Sequence, residues 1–273
     1  MGSIKLQFKF RFDLINDFSS SPWLFLNSLI FRFLGSKTIH TFCTNSRFNF
    51  LSSRLWWWFE RATDGVVVTS EWVERKLVRN GFPPKKVQYI SFGVETEKFV
   101  PESKNLPSPT VVFVGSSLQK GRNFFFTAAE EIPQAEFVWV TNKASRPPKK
   151  IEEISGMTNI AEVFKQSKIA VFPYTSLEGI FFEPQTILEA MSSGLALVVA
   201  DFPILKAVIG ERNACFFPPD NLAAFIESVK KLVGNHRRQD QLGSQVRKEA
   251  LKKYKVNMTV DKILGYYHSV LEK

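Results

Sequence analysis

Apolar and polar positions follow two periods along this chain, and the period changes where elements change. In IKLQFKFRF, every second residue from Ile4 to Phe10 is apolar, the period of a half-exposed strand. A helix is expected around Pro22–Leu34, a strand at Thr38–Cys43, and a helix at Phe48–Arg61 carrying Trp56, Trp57 and Trp58. GVVVT, Gly65–Thr69, reads as a buried strand. Ser70 should cap a helix over Glu71–Asn80 that Gly81 ends, before a strand at Val87–Ser91. Phe92–Thr110, with its prolines and charges, reads as a linker. Beyond it the periods alternate strictly. Strands are expected at 111–114, 135–140, 169–173, 195–200 and 214–217. Helices are expected at 120–131, near 158–167, at 184–193, at 203–209 and over 220–271. Such alternation implies a right-handed, doubly wound parallel sheet.

The most informative stretch is Val171–Asp201, VFPYTSLEGIFFEPQTILEAMSSGLALVVAD. Its central helix is expected to begin at Pro184 and stop at Gly194. Ile187, Leu188, Ala190 and Met191 share one side, while Gln185, Thr186, Glu189, Ser192 and Ser193 share the other. A carboxylate thus stands one turn beyond an anion-attracting helix start. An ordinary crossover with a solvated polar face fits this helix, and so does a nucleotide site with ribose on the carboxylate. The loop LEGIFFEP tips the reading toward a site, because Phe181 and Phe182 suit solvent poorly and the loop follows a strand end.

Composition narrows the classes. The chain has 273 residues, 44% of them hydrophobic, and a formal charge of +10. It is globular and suited to anionic company: a nucleotide diphosphate, nucleic acid or an acidic membrane surface. Cys43 and Cys215 form no CxxC pair and the three histidines are scattered, so no metal site is expected. No run reaches the roughly 20 apolar residues of a transmembrane helix, and no leader peptide stands out. A cytoplasmic protein is expected, with peripheral membrane attachment as a variant of that expectation.

In TVVFVGSSLQKGRNFFF, a strand runs into Gly115 and Ser116, and Lys120, Gly121 and Arg122 follow at a helix start. Small residues let backbone approach a phosphate, and lysine supplies charge. The spacing is neither Walker A nor GxGxxG, and alone it fits a tight turn with solvated lysines equally well.

Taken in order, these segments resemble the nucleotide-sugar-dependent glycosyltransferases of the GT-B fold, in particular the retaining glycosyltransferase family four. The resemblance runs from about Asp64 to the C-terminus. It is carried by GVETEKFVP, with Gly93, Val94, Glu95, Phe99 and Pro101 in signature positions, by VFVGSSLQKG, and by ILEAMSSGLALVVAD. It implies two Rossmann-like lobes, the first reduced. It also implies transfer of a sugar from a UDP- or GDP-sugar, with retention and without a metal or other cofactor. Glu189 would bind the ribose; Lys120, with Arg122, would neutralise the diphosphate, cradled by Gly115, Ser116 and Gly121; backbone N–H groups of Gln185 and Thr186 would add to it. The family's usual spacing puts the first motif glutamate at Phe181. Glu178 and Glu183 are the two candidates for that catalytic role, with Glu178 favoured. His40, in KTIHTFCT, is the candidate for the family's active-site histidine, with Cys43 or Thr44 as alternative registers.

The implied organisation is an acceptor-side lobe at 1–100, a donor-binding lobe at 101–256, and a C-terminal helix at 257–273 packing back toward the first lobe. Trp23, Phe25, Leu26, Leu29, Ile30 and Phe31 beside Arg32 and Lys37 suit either a lobe core or an interfacial helix on an anionic membrane. The second choice implies a lipid-linked acceptor; a glycan is the other acceptor class. The competing function is a degenerate relative of the same fold that binds a nucleotide sugar, or acts as a scaffold, without turnover. No nucleic-acid partner is expected, since no recognition motif accompanies the charge.

Overall fold

The computed structural model describes residues 12–18, 24–43, 59–101, 109–142, 146–156, 159–177 and 184–272. The expected strand at Ile4–Phe10 and the tryptophan cluster Trp56–Trp58 lie outside them, as do Glu178 and Glu183. Two compact units divide the chain, one running to Phe92 and resuming at Asn257, the other within Gly93–Val256.

In the first unit, β1 (Leu14–Asp17), α1 (Leu24–Phe33), β2 (Lys37–Phe42), β3 (Gly65–Val68), α2 (Glu71–Arg79) and β4 (Val87–Tyr89) follow in order. The strands pair in parallel in the order β1-β2-β3-β4. Ile39, Val67 and Ile90 form a core closed by Tyr266 and Val270 of the last helix, Val256–Leu271. Tyr266 ties that helix to the sheet, its hydroxyl accepting from Val66 N and donating to Lys86 O at 2.7 Å. Ser70 occupies the N-cap position of α2 but makes no side-chain cap. Glu74 likewise faces away from the helix start, accepting from Tyr89 N at 2.9 Å.

The second unit is an all-parallel sheet of β5 (Thr110–Val114), β6 (Glu136–Thr141), β7 (Ile151–Ser155), β8 (Ile169–Phe172), β9 (Ala196–Ala200) and β10 (Cys215–Phe217). Its helices are α3 (Arg122–Glu131), α4 (Ile160–Lys165), α5 (Gln185–Ser192), α6 (Pro203–Ile209), α7 (Leu222–Val233) and α8 (His236–Lys253); the last helix of the chain is α9. The spatial order is β10-β9-β8-β5-β6-β7, which makes β5 and β8 the pair where the winding reverses. Ligands sit outside the carboxyl ends of strands at such a switch point. β8 and β9 are buried on both faces, as their unbroken apolar runs imply. Aromatic packing fixes α3 on the sheet: Phe125 has no exposed surface and lies 5.2 Å from Phe113 and 5.4 Å from Phe137. Deleting such a ring costs about 3–5 kcal/mol.

Further features differ from the sequence reading, beside the uncapped Ser70 and the unexpected β1. β7 is an additional edge strand, since the carboxylates of IEEIS stand on a half-open edge and mask its period. The first half of the expected linker is packed. Val94 and Phe99 are buried, and Val94 N donates to Tyr254 O at 2.7 Å while Val256 N donates to Val94 O. Finally, Ser192 and Ser193 are buried and not on a solvated face. α8 covers them, coming so close that a Cβ on Gly243 would meet Gly194 O at 2.1 Å.

Candidate functional site

The switch point is built from two loops joined by backbone contacts. After β5, the chain passes Gly115, turns through Leu118–Lys120, and enters α3 from Gly121 in a left-handed conformation. A Cβ on Gly121 would meet Pro173 O at 1.8 Å, so only glycine lets this loop lie against the end of β8. Thr175 N donates to Gln119 O at 2.9 Å from the other side. The phosphate-type loop and the β8 loop therefore form one stitched surface.

Lys120 folds back over Gly115, where an added Cβ would lie 2.5 Å from its Cδ. Burial lowers its ammonium pKa, as expected for a cation held partly out of water. Ser116 is exposed beside it. Arg122 is placed differently. Its guanidinium lies over the Phe126 and Trp139 rings at 5.8 and 5.9 Å, and its buried Nε has no partner. Trp139 in turn donates to Gly115 O at 2.6 Å.

α5 starts at Gln185, one residue later than expected, with Pro184 in the N-cap position. Ile187, Leu188, Ala190 and Met191 are fully buried, and Gln185, Thr186 and Glu189 remain on the open side. The Gln185 side chain donates to Gly93 O at 2.9 Å, leaving its backbone N–H at the helix start. Thr186 neighbours the buried Tyr174 hydroxyl, which burial holds above its ordinary pKa. The Glu189 carboxyl is pushed up to about 6, chiefly by burial; Lys98 opposes the shift and Glu95 adds to it.

Sequence reading placed Glu95 in a signature but gave it no role, and it passed over Lys98, Tyr174 and Arg247. Arg247 Nη1 on α8 donates to Phe99 O at 3.0 Å and to Ser192 O. Ser192 Oγ also donates to Phe99 O, at 2.8 Å. Arg247 thus ties the end of α5 to the segment that brings Glu95 and Lys98 near Glu189. The long gap from residue 99 to 247 leaves no local pattern that could reveal this.

His40 lies in the first unit, on β2, and is only 1% exposed. Its Nε2 is 2.5 Å from Ser28 Oγ and its Nδ1 is 4.0 Å from Asp17 Oδ2. Burial lowers its pKa to about 4 against the opposing effect of Asp17, which keeps the imidazole neutral at pH 7. Among the described residues no group of three or more His, Cys, Asp or Glu side chains is placed to hold a metal ion. No helix among them is long and apolar enough to cross a membrane.

Two family models match the chain: Glycosyltransferase Family 4 over residues 2–98 and Glycosyl transferases group 1 over residues 108–235. A curated relative, alpha-galactosylglucosyldiacylglycerol synthase of Streptococcus pneumoniae, is 26% identical across 55% of this chain and 47% of its own. The chain thus spans about half the length of that relative. Among solved structures, a glycosyltransferase from Rickettsia africae matches with a TM-score of 0.79 at 16% identity, covering 99% of this chain and 80% of that one. Anabaena HepE in complex with UDP-glucose matches with a TM-score of 0.78 at 13% identity, covering 98% and 81%. Sucrose-phosphate synthase from Thermosynechococcus elongatus gives 0.76 at 15% identity, covering 98% and 76%. At such identities these structures establish a shared fold.

Proposed function

The chain belongs to the GT-B glycosyltransferases, and on that premise we propose that it transfers a sugar from a nucleotide-diphosphate sugar to an acceptor hydroxyl. The observation that carries this reading is that the loop after β5, which bears Lys120, is stitched to the end of β8, the strand that leads into the helix bearing Glu189. Lys120 sits on the stitched loop, and Glu189 stands on the open side of α5. Glu189, once ionised, accepts the ribose hydroxyls. Lys120 and the backbone N–H groups of Gln185 and Thr186 receive the diphosphate, with Gly115, Ser116 and Gly121 allowing close approach. As the anomeric carbon–oxygen bond breaks, its electron pair passes to the diphosphate, where these fixed donors meet the new charge. The acceptor oxygen forms the new bond to the anomeric carbon and passes its proton to an oxygen of the departing diphosphate. The family resemblance supports retention, a metal-free reaction, and contact of Glu178 or Glu183 with the transferred sugar. The burial of His40 beside Ser28 and Asp17 supports a structural role for it in the wall of its unit.

For the acceptor we propose a lipid-linked molecule at an anionic membrane. On α1, Leu26 and Leu29 are more than two-fifths exposed and Phe33 is 91% exposed, with Arg32 alongside. Three, four and seven residues apart, they form one apolar stripe. The curated relative's name, a glycosyldiacylglycerol synthase, agrees with that acceptor class.

A second reading rests on Arg122, whose guanidinium lies over the Phe126 and Trp139 rings, where their faces compete with a phosphate for its charge. With one cation fewer at the loop, the chain would hold a nucleotide sugar without turning it over. One experiment separates the two: thermal shift with UDP, GDP, ADP and their sugar conjugates, followed by an assay for released nucleotide diphosphate. A stabilising conjugate at a hundred times its Kd adds about 2.7 kcal/mol. A shift with turnover supports the enzyme, a shift without turnover supports the binding module, and no shift with any nucleotide removes both.

A further inference from the structure

The second unit has a cavity of about 430 Å3 at the end of its strands away from the switch point. It opens where β8 and β9 begin, walled by Lys168, Ser193 and Leu195 on one side and by Ser244, Arg247 and Lys248 of α8 on the other. That volume lies within the range that small-molecule sites occupy. Its chemistry is biased toward anions. Among the described residues neither Lys168 nor Lys248 has an acidic partner. Arg247 places Nη1 on two neutral carbonyls, and among the described residues Glu97 is the acidic group that acts on its charge. Asp240 is the one carboxylate among the described residues of the wall. Among the described residues the buried Ser193 hydroxyl, within the wall, has no hydrogen-bond partner. Three cations against one carboxylate, around a pocket floored in part by Pro101 and Leu251, suit a small ligand with a charged end and a neutral body.

We propose that this cavity is a second anion site, binding a small phosphate ester through Lys168 and Lys248 with Arg247 behind them. Asp240 and Ser244 then receive the hydroxyl groups of its neutral part. The site is separate from the nucleotide site, because one stands at the amino ends of β8 and β9 and the other at the carboxyl ends of β5 and β8. The wall includes Ser193 and Gly194, the turn that ends the helix bearing Glu189, so a bound ligand rests against that helix. The phosphate can belong to a free ester or to a lipid headgroup, and both present the same group to the lysines.

Calorimetric titration of the full chain with glycerol 3-phosphate, at constant ionic strength, tests the site. The double variant Lys168→Gln/Lys248→Gln should bind at least tenfold more weakly while its circular dichroism and melting temperature stay unchanged. Lys120→Ala should bind glycerol 3-phosphate as the parent does. Flotation with phosphatidylglycerol against phosphatidylcholine vesicles then identifies the source. Flotation lost in the double variant assigns a lipid headgroup, and ester binding without such loss assigns a free ester. No heat from the parent, unchanged affinity in the double variant, or loss in Lys120→Ala would each overturn the proposal.

Discussion

His40 in the first unit and Glu189 in the second are both ionisable groups set among parallel strands and covering helices, but their surroundings treat them differently. His40 is sealed between β1, α1 and the ring of Phe59, with Ser28 on one nitrogen, and burial holds it neutral at pH 7. Glu189 is partly open, has Lys98 and Glu95 nearby, and lies about one unit below neutrality. Burial shifts both groups toward their uncharged forms, as desolvation must. Only Glu189 keeps an open side on which a ligand can act. The contrast teaches that a shifted ionisation marks burial, while access decides which buried group can serve a ligand.

The contrast breaks most severely at the stitched loop. Gly121→Ala should destabilise the second unit by about 3 kcal/mol, because a Cβ there strikes Pro173 O and the residue is left-handed. Lys120→Ala, with the loop intact, should weaken nucleotide binding by a charged contact of about 1.5–3 kcal/mol. Denaturant melts and calorimetry measure the two effects separately.

His40 sharpens the comparison through pH. Its folded pKa is about 4 and its unfolded value 6.5, so the unfolded chain binds the extra proton between them. Stability is therefore full above about pH 6.5 and falls by on the order of 3 kcal/mol as pH drops to 4. A His40→Gln variant should lose that pH dependence, and a slope unchanged by the substitution would remove the assignment.

Glu189 should behave in the opposite sense. Its folded pKa of about 6 lies above its ordinary 4.5, so ionisation costs stability as pH rises through that window. Glu189→Gln should raise stability by about 1–2 kcal/mol at pH 7.5 while abolishing ribose recognition. A variant both less stable and still able to bind would contradict the role. The smallest effect belongs to Glu95→Gln. Removing that neighbouring carboxylate should lower the Glu189 pKa, visible by NMR titration.

The strands and helices of the second unit were legible because both faces of its inner strands are buried, and buried runs such as IAVF and ALVVA announce themselves. β7 was not, since Glu152 and Glu153 stand on an edge where no period needs to be kept. Lys120 and Glu189 can be proposed from sequence because local patterns carry them. Arg247 joins Ser192 and Phe99 across large sequence gaps, and Glu95 and Lys98 lie about ninety residues before the Glu189 they act on, so no window of sequence contains the relation. The buried Ser192 and Ser193 show the same limit: a polar face in sequence is a solvated face only if no other helix covers it.

The most direct test is the pH dependence of nucleotide-sugar affinity, measured by calorimetry with the conjugate that stabilises the protein most. Affinity in the parent should fall as pH drops through about 6, where Glu189 takes up its proton. Glu189→Gln should bind weakly at every pH, with no such step. Equal affinity in parent and variant across that range would contradict the assignment of Glu189 to the donor.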